Sequence, residues 1–87
     1  MVSLLVRHNV RDFAGWKKVF DSTGEMRKKA GALEMHVFRN CEKPNEVFVM
    51  GEWNSRKEAE AFLQDPMLKQ KMMESGVTEL PSIYLME

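Results

Sequence analysis

Three side chains of this sequence have types and spacings that could form a reactive pocket: His8, Trp16 and Arg39. A histidine with its ordinary pKa of about 6.5 can take up or release a proton at neutral pH. A tryptophan supplies a flat apolar wall, and an arginine holds a carboxylate or an oxyanion. Together they predict a pocket in which His8 is the catalytic base and Trp16 and Arg39 bind the substrate.

A structural interpretation of the same residues stays open. His8 ends a predicted strand, where the backbone or Asp12 could satisfy its ring nitrogens. Trp16 has the spacing of an ordinary core residue of a helix. The sequence alone does not separate a pocket from a packed interior at this point.

A second tryptophan, Trp53, belongs to the same apolar row of the predicted sheet as His8. Antiparallel pairing places it at the opposite end of that sheet. We therefore interpret Trp53 as a core residue that packs over Val2 and Leu33, and not as a catalytic partner of His8.

No arrangement typical of a metal, nucleotide or Ser-His-Asp site is present. The sequence contains no Cys-x-x-Cys, His-Glu-x-x-His or glycine-rich phosphate loop. The single cysteine, Cys41, lies in a predicted exposed loop and cannot form an internal disulfide. Met67, Met72 and Met73 are interpreted as adaptable packing and not as metal ligands. We expect neither a metal nor another cofactor.

The elements that must position these residues follow from the periodicity of the apolar residues. Alternation predicts strands over residues 2–9, 33–40, 46–54 and 80–86. Helical spacing predicts a first helix that begins after Asp12, loosens at 22–24 and ends at Gly31. A second helix opens at Ser55, and a short one runs from Pro66 to about Glu74.

This order predicts one α+β domain over residues 1–87, with the ferredoxin-like arrangement β-α-β-β-α-β. Right-handed crossovers give an antiparallel sheet of strand order 4-1-3-2. One face of that sheet is aliphatic and should meet the helices. The opposite face should be polar in a monomer, but among Ser3, Arg7, His36 and Glu52 it carries six large apolar residues: Leu5, Phe38, Phe48, Met50, Tyr84 and Met86. We therefore expect a homodimer in which two sheets pack face to face.

The amino-acid composition limits the classes of binding partner. The 87 residues include 13 basic and 13 acidic side chains, so the net charge is zero. That balance argues against nucleic acid and against an anionic membrane surface. No apolar run approaches the roughly 20 residues that span a bilayer. Residues 1–8 lack the basic start of a signal peptide, so the expected location is the cytoplasm.

The whole chain resembles the dimeric α+β barrel superfamily, and within it the small proteins similar to antibiotic-biosynthesis monooxygenases, some of which are described as cyclases. The segments that carry the resemblance are Val6-Arg7-His8, Asp12-Phe13, Trp16-Lys17, Met26-Arg27-Lys28, Ala30-Gly31, Phe38-Arg39, Pro44-Asn45-Glu46-Val47 and Glu52-Trp53.

The resemblance implies a cofactor-independent small-molecule enzyme, monooxygenase-like or cyclase-like, acting on an aromatic or polyketide-like compound. Such oxygenation needs a base that deprotonates a phenol or enol so that the substrate itself reduces dioxygen, and His8 is the candidate. A non-catalytic module that binds or senses a small apolar or aromatic ligand is one alternative. A structural dimer that lends its surface to a partner is another.

Two features of the superfamily bear on the site. Haem-degrading members hold the iron with a histidine in the second helical region, but residues 55–75 contain none, so haem binding is not expected. Quinol-type oxygenases use an asparagine–tryptophan set, and Asn9 and Trp53 have those residue types. No catalytic residue is transferred from the superfamily to this chain.

Overall fold

The computed structural model describes residues 1–87 as four strands and four helices. The elements in chain order are β1 Val2–Asn9, α1 Phe13–Ser22, α2 Gly24–Ala30, β2 Ala32–Arg39, β3 Glu46–Trp53, α3 Arg56–Leu63, α4 Pro66–Glu74 and β4 Ser82–Met86. This is the predicted β-α-β-β-α-β order, with each helical region divided into two short helices.

The four strands form one antiparallel sheet of order β2-β3-β1-β4. This is the predicted order 4-1-3-2 read from the other edge, and the ferredoxin-like α+β class is confirmed. The two central strands, β1 and β3, pair along their whole length, from Val2 opposite Trp53 to Asn9 opposite Glu46. His8 therefore lies opposite Val47, and Trp53 lies at the other end of the pair.

Side-chain caps fix where the helices begin. The Asp12 carboxylate accepts a hydrogen bond from the Gly15 backbone N–H at 3.0 Å and opens α1. The Ser55 hydroxyl accepts from the Glu58 N–H at 3.2 Å and opens α3. The Asp65 carboxylate accepts from the Met67 N–H at 2.9 Å, and Pro66 follows it at the first helical position of α4. All three starts were predicted from these capping residues.

The first helical region breaks at Thr23, within the predicted weak segment 22–24. Thr23 adopts φ −102° and ψ 13°, and its side-chain hydroxyl donates to the Phe20 carbonyl at 2.9 Å. Gly31 then ends α2 with φ +118°, a conformation that favours glycine.

One predicted residue of the apolar face is misplaced. A bulge lies between Ala32 and Glu34, so that Ala32 pairs with Trp53 and Glu34 pairs with Glu52. Ala32 is therefore the buried residue, and Leu33, expected under Trp53, is exposed. The extra residue of a bulge shifts the alternation by one position, which a strict two-residue period cannot anticipate.

The core lies between the sheet and the helices as two separate clusters. One is built around Val2, Leu4, Trp53 and Phe62, with the small residues Ala32 and Ala59. The other contains Val10, Trp16, Val47 and Val49. The space between the two clusters holds the cavity described below. No helix is long and apolar enough to cross a membrane.

The other face of the sheet carries no helix. Phe38 and Tyr84 are 57% and 54% exposed on it, and Met86 is also exposed. Leu5, Phe48 and Met50 are partly buried between them. This bare face thus carries the predicted apolar side chains among the polar Ser3, Arg7, His36 and Glu52, and no part of this chain covers it.

Candidate functional site

An apolar cavity of about 100 Å³ lies between the sheet and the helices. Thirteen of its eighteen lining residues are hydrophobic: Leu4, Val6, Trp16, Val19, Phe20, Met35, Val49, Trp53, Phe62, Leu63, Leu68, Met72 and Ile83. The other five are His8, Thr23, Arg27, Lys71 and Ser75. The cavity adjoins an open groove of about 550 Å³ beside α4 and β4, which shares Leu63, Leu68, Met72 and Ile83.

His8 is the buried polar group of β1 that lines this cavity. Alternation along β1 turns it toward the helices with Val2, Leu4 and Val6, and only 4% of it is exposed. Its ring lies 5.4 Å from that of Trp16, centroid to centroid, at a tilt of 57°. Neither Nδ1 nor Nε2 has a hydrogen-bond partner. Neither Asp12 nor the backbone satisfies His8 as the structural interpretation supposed, and both nitrogens remain available to a ligand.

The surroundings of His8 keep it neutral. Burial, and next the positive charge of Arg7, lower the pKa of His8 to about 4. At pH 7 the imidazole is therefore uncharged and has one nitrogen with a free lone pair. It can accept a proton from a bound acid, although it is a weaker base than an exposed histidine.

Trp16 joins His8 to a ladder of aromatic rings on α1. Its ring centroid lies 5.0 Å from that of Phe20 and 5.8 Å from that of Phe13. Trp16 is buried, and residues 13, 16 and 20 recur at the spacing of one helix face. The predicted contact between His8 and Trp16 is therefore present in the structure.

Trp53 lies at the opposite end of the sheet from His8, but it lines the same cavity. It is fully buried, its ring centroid lies 5.0 Å from that of Phe62, and its Nε1 has no acceptor. The predicted packing role is therefore incomplete, since the cavity extends along β1 and β3 and reaches both ends. A Cβ at Gly51 would collide with the Met35 side chain, so this glycine lets Met35 pack closely against β3 at the cavity wall.

Arg39 lies outside the cavity, contrary to its predicted place beside His8 and Trp16. It belongs to the same row across the strands, because it pairs with Val47, which pairs with His8. Two strand spacings separate the backbones, however, by about 10 Å. The guanidinium stacks on the Phe13 ring at 4.1 Å, and Nε donates to the Pro44 carbonyl at 3.1 Å. The edge strand and the Phe13 ring thus hold this arginine at the surface.

Arg27 is the arginine that does line the cavity, and the sequence analysis did not single it out. Its guanidinium lies 3.7 Å from the centroid of the Phe20 ring, and its Nη1 donates to the Phe20 carbonyl at 2.9 Å and to the Thr23 hydroxyl at 2.6 Å. Its spacing from Phe20, seven residues, was a usable signal, since it continues the same helix face. The break at Thr23 obscured that continuity.

The remaining candidates lie apart from the cavity. Asn9 faces the other side of the sheet from His8, and its side chain donates to the Glu79 carboxylate. It therefore does not join Trp53 in one pocket. Of the three methionines interpreted as flexible packing, Met72 lines the cavity, whereas Met67 and Met73 are exposed. Cys41 is exposed in its loop, as predicted.

Comparison with known families identifies this architecture. The antibiotic biosynthesis monooxygenase family matches the chain over residues 13–72, more than half of its length. The chain belongs to that family. A comparison with curated protein sequences gives no match.

Several solved structures have the same fold at low sequence identity. A Bordetella bronchiseptica protein superposes with a TM-score of 0.84 at 13% identity, covering 99% of this chain and 94% of its own. SnoaB, a cofactor-independent oxygenase from Streptomyces nogalater, gives 0.80 at 18%, with coverages of 99% and 90%. A conserved protein of Methanosarcina mazei Go1 gives 0.76 at 13%, with 97% and 88%. At these identities the likeness establishes the fold alone.

Proposed function

We propose that this family member is a cofactor-independent oxygenase that acts on an apolar aromatic phenol or enol. The observation that carries the proposal is the cavity with His8 at its wall, where a neutral imidazole has two nitrogens without partners. A buried polar group without a partner is costly in a purely structural core. A ligand that supplies a hydroxyl proton would remove that cost.

The proposed reaction begins when His8 accepts the proton of the bound phenol or enol. The resulting anion is electron-rich and transfers one electron to dioxygen, and the two radicals combine to form a carbon–oxygen bond. The peroxide anion so formed takes the proton back from His8 and becomes a hydroperoxide. Where the attacked carbon is a methylene, loss of water from the hydroperoxide leaves a carbonyl. One oxygen atom of dioxygen ends in the product and the other in water, and all four electrons come from the substrate.

The low pKa of His8 selects the kind of substrate. A proton moves to a weak base only from an acidic donor or when the ion pair that forms is stabilised in place. A conjugated enol or polycyclic phenol is such a donor, and its anion would remain next to the imidazolium. Trp16 forms the flat wall for the rings, and the free Nε1–H of Trp53 offers a hydrogen bond to a ligand oxygen at the other end.

The proposal includes a homodimer formed through the bare face of the sheet, and a location in the cytoplasm. The exposed Phe38, Tyr84 and Met86 support the dimer, since large apolar side chains left together on one uncovered sheet face are typical of a protein–protein contact. Pairing two such faces would also enlarge the small core of an 87-residue chain.

The test is oxygen uptake with a panel of anthrones, naphthols and hydroquinones, measured with an oxygen electrode without added metal or flavin. We expect turnover by the wild-type protein and a loss of about 10²–10⁴-fold in kcat for His8→Ala. Arg39→Ala, outside the cavity, is the control and should retain the wild-type rate. Equal rates for His8→Ala and the wild type would refute the catalytic role.

A non-catalytic ligand-binding module is the second candidate, and one observation favours it. A base with a pKa of about 4 is poorly matched to catalysis near neutral pH. Under this alternative, aromatic or enolic ligands raise the melting temperature of the wild type more than that of His8→Ala, and no oxygen is consumed. A base-catalysed cyclisation would also consume no oxygen, but it would convert the ligand to an isomer. Liquid chromatography with mass spectrometry would show that isomer as a new peak of unchanged mass.

A further inference from the structure

The charged groups that line the cavity all have the same sign. Arg27 and Lys71 are cationic, His8 is neutral, and none of the eighteen lining residues is an aspartate or glutamate. The chain as a whole is balanced, with 13 acidic and 13 basic residues. A cavity with cations and no acid in its wall is complementary to an anion.

Of the two cations, Arg27 is the one without a carboxylate partner. The Nζ of Lys71 lies 3.4 Å from the Glu74 carboxylate on the same helix. Arg27 makes no salt bridge, and its hydrogen bonds all come from Nη1, to the Phe20 carbonyl and the Thr23 hydroxyl. Its Nε and Nη2 therefore remain free to donate to a ligand. Burial lowers the pKa of Arg27, and the negative charge of Asp21 offsets only part of that effect.

Arg27 also stands at the end of a continuous stack that begins at the proposed base. The His8 ring contacts Trp16, Trp16 stacks on Phe20 at an interplanar angle of 21°, and the Arg27 guanidinium covers Phe20 at 3.7 Å. This stack orients the guanidinium plane, which limits the rotamer freedom that the side chain would lose on binding a ligand. The wall of the cavity thus joins a neutral base to a fixed cation across apolar rings.

We propose that the ligand of this cavity is an aromatic acid, a flat apolar ring system bearing a carboxylate or another anionic oxygen, and that Arg27 binds that oxygen. This assignment rests on the proposed function in that it names the substrate class of the same site. The oxygen bound by Arg27 is distinct from the hydroxyl that faces His8. A cavity of about 100 Å³ encloses about one ring, and the adjoining groove receives the rest of a larger ligand.

The test compares two one-ring probes of nearly equal size, benzoate and benzyl alcohol, by NMR titration of the ¹⁵N-labelled protein at neutral pH. We expect benzoate to bind at least tenfold more tightly than benzyl alcohol to the wild type. Arg27→Gln should weaken benzoate about tenfold or more and leave benzyl alcohol unchanged, because hydrogen bonds to a charged group are lost. Arg27→Lys, which retains the charge but not the planar fork, should fall between the two.

Two matched variants serve as controls. Arg39→Gln removes an arginine that also stacks on a phenylalanine ring, but outside the cavity, and it should change neither affinity. Lys71→Gln should have a smaller effect than Arg27→Gln. The assignment is overturned if neither probe binds, if both probes bind the wild type equally, or if Arg39→Gln or Lys71→Gln removes the preference while Arg27→Gln retains it.

The outcome is separable from that of the proposed function. Preferential benzoate binding that depends on Arg27, in a protein that consumes no oxygen with any phenol or enol, would support the anion site and contradict the oxygenase. Oxygen uptake that depends on His8, with equal affinity for the two probes, would support the oxygenase and contradict the anion site.

Discussion

Both faces of the sheet carry large apolar side chains, but they are incomplete in different ways. On the helix-covered face, Trp53 and Val47 are fully buried, yet an adjacent cavity leaves the polar atoms of His8 and Trp53 without partners. On the bare face, Phe38 and Tyr84 are more than half exposed and lack apolar cover. The covered face has buried polar atoms without hydrogen-bond partners, and the bare face has large apolar side chains exposed to solvent.

This difference supports a different proposed occupant for each face. Unpaired nitrogens inside an apolar cavity match a small molecule that carries oxygen atoms on a ring system. The exposed aromatic and aliphatic side chains of the bare face match another protein surface of the same character. The same two-residue alternation along the strands produces both faces, so each can be altered without touching the other.

The largest expected effect is on the covered face. Trp53→Ala removes a fully buried indole that packs on the Phe62 ring and lines the cavity. We expect a loss of about 5 kcal/mol in the free energy of unfolding, which is the upper end for such truncations. Urea denaturation followed by circular dichroism measures it. Phe38→Ala on the bare face is the control, and at protein concentrations too low for dimers it should cost far less.

Most of the fold could be predicted from the sequence. Asp12, Ser55 and Asp65 mark the helix starts through local hydrogen bonds, and the alternation of β1 and β3 sets the two faces. The error at Leu33 has a physical reason: a bulge changes which face a residue joins without changing residue types. Local chemistry therefore predicted the elements and most, but not all, of the register.

Only part of the candidate site could be predicted from the sequence. The contact between His8 and Trp16 could be predicted because both follow from strand alternation and helix spacing. The choice between Arg39 and Arg27 could not, because it depends on where Phe13 and Phe20 place two guanidinium groups in three dimensions. Both arginines stack on a phenylalanine, and only the position of that ring relative to the cavity distinguishes them.

The second prediction concerns the bare face. Phe48→Lys places a charge in the centre of the proposed sheet-to-sheet contact, and burying it there would cost about 4 kcal/mol, or about a thousandfold in the dimer dissociation constant. Light scattering at micromolar concentration should give twice the chain mass of 10.1 kDa for the wild type and the single mass for Phe48→Lys. Gln70→Lys, on the exposed side of α4, should remain dimeric. A wild-type protein that is monomeric and folded contradicts the dimer.

The third prediction returns to the covered face and uses pH. The pKa of His8 is about 4 in the folded chain and about 6.5 when unfolded, so the folded state binds fewer protons between these values. The contribution of His8 to stability is therefore full above about pH 6.5 and is lost as the pH falls toward 4. We expect the free energy of unfolding to decrease by about 2 kcal/mol between pH 7 and 5.

The contribution of His8 to this pH dependence can be distinguished from that of other groups. The pKa of Glu46 is lowered from its ordinary value by hydrogen bonds from Asn40 and Arg7, so its titration lies below this interval. His8→Gln, which cannot be protonated, should remove most of the slope between pH 7 and 5. An unchanged slope in His8→Gln would show that His8 is not buried as a neutral group.

The smallest expected effect is that haem does not bind. Each face of the sheet carries one histidine, and neither is placed to hold haem iron. His8 lies in a cavity of about 100 Å³, too small for a porphyrin, and the other histidine, His36, is exposed on the bare face beside Glu34 at 3.5 Å. Helices α3 and α4 contain no histidine that could serve as an axial ligand. Titration with haemin should therefore give no stoichiometric shift of the Soret band, and any weak, unsaturated change should disappear in His36→Ala. A saturable one-to-one complex abolished by His8→Ala would show instead that the cavity opens enough to admit a macrocycle. Such a cavity would be too large to select a ligand by its size, which would contradict the proposed substrate class.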